Sequence, residues 1–178
     1  MIEQALHALR PGARWNINGG SLAGIEWVDQ EQARPTDAEI TAKIEEIRLP
    51  LIKAGLSRRV DDDAERERLR YITPGAGMAM TYQEKKDQAV AVIAMGEAAA
   101  NALPNNGAQE FPTLSASVPV EASSLYAAAQ VVIARYEAWA AISRGIELAR
   151  MNGKKSISDA SDAAAAQAAY EAITWPNP

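Results

Sequence analysis

Cysteine is absent from the 178 residues, and histidine occurs once. The first absence excludes disulfides, thiol catalysis and cysteine-ligated zinc, and leaves the redox compartment unspecified. Aromatic residues make up only 6% of the chain, although hydrophobic residues reach 48%. Alanine supplies the largest share of that fraction. Each alanine buries little area, so alanine-rich helices gain from close backbone approach or from packing against another chain. Positive charge is short as well: the formal net charge is −5, whereas nucleic-acid binding needs a cationic face. No apolar run approaches the roughly 20 residues of a membrane span. The opening MIEQALHALRPGARW lacks the basic start and continuous apolar stretch of a signal peptide. The expectation is a soluble protein made in the cytoplasm, without nucleic-acid or membrane partners.

What is present reads as helices around one small hairpin. Ile2, Leu6 and Leu9 share a helical face, and Pro11-Gly12 ends that helix. Trp15 and Ile17 alternate with Asn16 and Asn18, and Ile25 and Trp27 alternate around Glu26. With Gly19, Gly20 and Gly24 between them, the two runs predict a β-hairpin with one apolar face and a loop longer than a tight turn. Thr36 followed by Glu39 signals a capping box. Ile40, Ile44 and Ile47 then form a helical stripe expected to cover the Trp/Ile face, and Pro50 follows. From Leu51 to Tyr71 the chain turns charged and predicts a solvated connector helix.

The stretch YITPGAGMAMTYQEK breaks the helical text. Thr81 and Glu84 predict a second capping box, opening a helix through AVAVIAMGEAAANAL. Pro104, Asn105, Asn106 and Gly107 mark a loop. A long helix follows from about Ser123 to Met151, with Asn152-Gly153 as its expected C-terminal cap. A last alanine-rich helix is expected near residues 159–172, and no repeat of solenoid length recurs.

No motif proposes a reaction. TPGAG precedes a helix, but no Lys-Ser/Thr follows it and no strand precedes it, so it reads as an elbow and not a phosphate cradle. Asp61, Asp62 and Asp63 point about 100° apart on a helix and do not converge on a metal; a solvated acidic patch is expected. His7 has no Ser or Cys partner that the sequence singles out. Arg58, Arg59, Arg66, Arg68 and Arg70 alternate with acids, as surface helical pairs do. No catalytic residue, cofactor site or metal site is therefore assigned. Met78, Met80, Tyr71 and Tyr82 either form an adaptable docking surface or fill the corner of a helical hairpin. Residues at helix junctions usually pack, which favours the corner. Candidate contacts with partners or other copies are Trp15, Trp27, Met78, Met80, Tyr82, Tyr136, Trp139 and Trp175.

Three stretches carry a resemblance. LRPGARWNINGGSLAGIEWVDQEQARPTDAEI resembles the XkdW-like N-terminal module of tailed-bacteriophage tail proteins, where a Trp-containing hairpin leads through Pro-Thr-x-x-Glu into a helix. RLRYITPGAGMAMTYQEK and the FPTL…EAWAAISRGIELAR region are similar to alanine-rich helical segments of tail-fibre-associated proteins. The ending ITWPNP is similar to the Trp-Pro-x-Pro ending of tail-fibre assembly proteins, from which the alanine-rich middle departs. The resemblance implies a structural or adaptor component of a tail fibre or baseplate, located in the virion tail. Its partners would be fibre or baseplate proteins, or copies of itself, and the resemblance brings no catalytic residues. A fibre assembly chaperone and a small glycan-active enzyme are the alternative readings. The expected fold class is mainly α, with a small α+β N-terminal module followed by an alanine-rich antiparallel helical region. The expected divisions are 1–48 for the hairpin module, 49–73 for the connector and 74–178 for the helical hairpin or bundle.

Overall fold

A computed structural model describes residues 1–176. The final Asn-Pro of the Trp-Pro-x-Pro ending lies outside the described residues. The chain is mainly α, with seven helices among the described residues and one two-stranded antiparallel hairpin near the N-terminus. Helix α1 covers Ile2–Leu9, β1 Trp15–Ile17, β2 Ile25–Trp27 and α2 Asp37–Arg68. Then come α3, Ala76–Met95, and two short helices, α4 at Glu97–Asn101 and α5 at Pro112–Ser115. Helix α6 spans Leu125–Asp159 and α7 Ala163–Glu171.

The chain forms two compact units, and the break in sequence falls inside α2 and α6. The first unit contains Met1–Asp62 and Arg150–Ile173. In its hairpin Trp15 pairs with Trp27 and Ile17 with Ile25, placing four large apolar side chains on one face. Ile40 lies fully buried with Ala5 and Leu6, and Trp15, Ile17, Ile25, Trp27, Ile44 and Ile47 pack around them. The isoleucine stripe thus covers the hairpin, since two strands alone are marginal in water. Thr36 Oγ1 accepts from Glu39 N–H at 3.2 Å, and the Glu39 carboxylate accepts from Thr36 N–H at 2.7 Å. That reciprocal box starts α2 where the sequence places it.

The helix does not stop at Pro50. Pro50 and Glu46 are both exposed, so the Glu46 carbonyl, which loses its helical donor to the proline ring, faces water instead. Helix α2 runs on without a break from the end of the expected hairpin module at residue 48 to Arg68. That later stretch is also less solvated than its charge suggests. Leu56, Val60 and Ala64 are buried at helical spacing.

The C-terminal part of the first unit corrects a second boundary. α6 runs through Asn152-Gly153 to Asp159. Gly153 is not left-handed, so it does not cap. A Cβ there would overlap the Ile173 side chain, and the glycine instead admits that residue against the helix. Asp61 is drawn into pairing with Arg150 and Lys154, both at 2.7 Å, and is not an unpartnered surface acid. Lys53 Nζ donates to the Ser158 carbonyl at 2.6 Å, and the Arg59 guanidinium lies 4.4 Å from the Tyr170 ring centroid.

The second unit holds Asp63–Ala149 and the segment from Thr174. Its core joins Ala89 and Val92 of α3, Ala100 of α4, Leu114 of α5, and Leu125, Ala128 and Ala129 of α6. Lys86, earlier on α3, lies over Tyr136, later on α6. The two helices therefore run antiparallel. Helix α3 begins at Ala76 after Gly75, whose φ is +130°. The restart thus comes five residues before Thr81, whose Oγ1 donates to the Gly77 carbonyl at 3.0 Å within the helix. The second capping box is not formed, and Gly77 is helical. Gly96, at φ +86°, interrupts the helix that the alanine-rich run extends through it.

Candidate functional site

Helix α3 presents two faces. Ala89 and Val92 point to the core, and Lys85 and Lys86 reach Glu121 and the Tyr136 ring. Lys85 Nζ lies 3.1 Å from Glu121, which also pairs with Arg135 at 2.7 Å. These cations, Lys85 first, hold the Glu121 carboxyl below the usual range. Lys86 Nζ sits 5.3 Å from the Tyr136 ring centroid, a cation–π contact.

The other face is open. Met80 is 74% exposed and Val90 48% there, and Met78 and Tyr82, on the side that Ala89 takes further along, are exposed as well. The packed-corner expectation for Met78, Met80 and Tyr82 therefore does not hold: a helix starting at Ala76 turns these side chains to solvent. The Tyr82 hydroxyl donates to Thr73 Oγ1 at 3.4 Å, the only constraint among the described residues that an ordered polar contact places on it. Beside Met80 lies an open groove of about 770 Å³, whose walls include Ala79, Met80, Glu84, Asp87, Glu110 and Phe111. Asp87 accepts two hydrogen bonds from Gln83 at 3.0 Å and faces Lys86 at 3.1 Å. Those partners, Gln83 before Lys86, hold its carboxyl below the usual range.

The remaining candidates divide. Trp15 and Trp27 are half-buried in the hairpin core; the Trp27 indole N–H donates to the Gln32 carbonyl at 2.8 Å. The His7 and Trp15 rings meet edge to face at 5.3 Å. Those tryptophans serve the first unit's own packing. Trp139 is half-buried with its ring 6.5 Å from that of Tyr71, and Trp175 is half-buried. Tyr136 remains 43% exposed beneath Lys86. Met78, Met80 and Tyr82 share α3, and Tyr136 is linked to that helix through Lys86. Sequence reasoning misses Val90, Glu84, Asp87, Glu110 and Phe111. A signal for Val90 exists in its spacing of ten residues from Met80, three helical steps along one face.

Among the described residues no group of three or more His, Cys, Asp or Glu side chains is arranged to hold a metal. Among the same residues no helix is long and apolar enough to cross a membrane. Comparisons with protein-family models, curated proteins and solved structures found no match.

Proposed function

We propose that this chain is a structural or adaptor component of a tailed-bacteriophage tail fibre or baseplate, acting through protein–protein contacts in the virion. The observation that carries the contact role is the outward side of α3, where Met80 and Val90 stand in water on a fully formed helix, with Tyr82 also exposed near its start. Exposed large apolar side chains clustered on one ordered element are the usual mark of a surface that another protein covers. The tail assignment is supported by the resemblance of the Trp hairpin and its Pro-Thr-x-x-Glu helix start to XkdW-like modules. The reading assigns no reaction, cofactor or metal.

Mass spectrometry of purified particles, from a phage encoding this chain, tests the assignment. The expected result is the chain present in fixed ratio to a fibre or baseplate protein. Its absence from particles, together with fibre misfolding when its gene is deleted, would transfer it to the assembly-chaperone role. Absence with normal fibres would sink the tail reading altogether.

A further inference from the structure

The open face of α3 has both a spacing and a charge. Ala76, Met80, Gln83, Asp87, Val90 and Ala94 recur in alternating steps of four and three, and all are exposed. This is the spacing with which one helix seats on another. Gln83 and Asp87 form the polar middle of that row, Glu84 borders it, and Glu110 stands with Phe111 on the groove wall. Lys86 offsets Asp87, but Glu84 and Glu110 have no ion pair among the described residues. Of the cations of α3, Lys85 is engaged by Glu121, and Lys86 is shared between Asp87 and the Tyr136 ring. A row with Met80 and Val90 exposed on either side of a polar middle, and with the Glu84 and Glu110 carboxylates beside it, is left facing solvent.

We propose that this face docks a cationic amphipathic helix of a partner protein, its apolar ridge along Met80 and Val90 and its Lys or Arg side chains reaching Glu84, Asp87 and Glu110. The proposal rests on the protein-contact part of the functional reading and not on the tail assignment. Charge complementarity selects the occupant. A second copy of the same face would bring Glu84 and Asp87 against carboxylates of equal sign, which disfavours self-pairing.

The test uses the full chain and a displayed library of helical peptides. Each peptide carries a fixed Leu/Ala heptad ridge, with flanking positions varied between Lys and Glu. Enrichment of Lys at the flanks is expected, and the enriched peptide should bind more weakly as salt rises. Met80→Ser with Val90→Ser should weaken that binding about tenfold or more, with an unchanged circular dichroism spectrum because both side chains are exposed. Glu84→Lys with Glu110→Lys should shift enrichment towards Glu flanks.

Absence of enrichment, enrichment indifferent to charge, or binding untouched by the Met80/Val90 pair would overturn the proposal. Dimerisation of the full chain that the same pair abolishes would assign the face to a second copy, and would overturn it too. The peptide and particle experiments fail independently. Particles lacking the chain remove the tail assignment without bearing on the groove, and a failed selection removes the groove without bearing on the tail.

Discussion

At Gly107 three neighbours converge on the space where a side chain would begin. A Cβ there would lie 2.8 Å from Leu125 Cδ2, 3.2 Å from Leu103 Cδ1 and 3.3 Å from Phe111 Cδ2. The backbone is left-handed as well, at φ +69°, following Asn105 and Asn106 at +49° and +54°. Asparagine tolerates that region and glycine occupies it freely. Gly107→Ala combines strain with crowding of the second unit's core and is expected to cost about 2 kcal/mol. Thermal melts should show it as a Tm lowered by roughly 6 °C, with Asn106→Gly close to the parent. An unchanged Tm for Gly107→Ala would mean that the Leu125 contact relaxes freely. The run Pro-Asn-Asn-Gly was legible as a loop from residue types alone. Why the glycine must stand last was not, because Leu103, Phe111 and Leu125 meet only in the folded unit.

At the scale of elements, the two capping boxes show how local signals compete. Thr36 and Glu39 form theirs; Thr81 and Glu84 do not, because Gly75 opens α3 earlier and Thr81 then falls inside it. The same competition carries α2 past Pro50. A proline in a helix interior forfeits one hydrogen bond and costs up to about 3 kcal/mol relative to alanine. Pro50→Ala is therefore expected to stabilise the protein by roughly 1–3 kcal/mol, read as a higher midpoint in urea. A lower midpoint would show that the path of α2 beyond residue 50 depends on the proline ring. Start signals are legible in sequence where no stronger one precedes them. Stop signals are weaker, since burial of Ile40 and Leu56 on either side of Pro50, and of Ile146 and Ile157 on either side of Gly153, holds those helices together.

Across the whole molecule, carboxylates hold the ion pairs in each unit. Asp61 is lowered by Lys154 and then Arg150 in the first, and Glu121 by Lys85 and then Arg135 in the second. A carboxylate with a depressed folded pKa binds fewer protons folded than unfolded, so its contribution is present above the ordinary range of about 4 and is lost as pH falls towards the folded value. Glu39 and Asp162, which accept backbone N–H groups at helix starts, act in the same direction. The pairs are partly exposed, with Asp61 at 44% and Glu121 at 30%. Asp61→Asn with Glu121→Gln is accordingly expected to cost only about 1 kcal/mol at neutral pH. The double variant should also lose less Tm than the parent between pH 7 and pH 3. Equal losses would place the acid sensitivity in other groups.

Taken by itself, the sequence determined the mainly-α class, the Trp15–Trp27 hairpin beneath an isoleucine stripe, and the first capping box. Each depends on residue type and near-neighbour spacing, which local sterics and hydrogen bonding settle. Tertiary structure alone decided which side of α3 faces water. Alanine marks no face, so the register of Met80, Asp87 and Val90 became visible only once Ala89 and Val92 were seated in the core and Lys85 and Lys86 turned towards Glu121 and Tyr136. It also decided that Asp61 is paired and that residues near both ends of the described chain share one unit, because those contacts join positions about 90 or more residues apart that no local pattern connects.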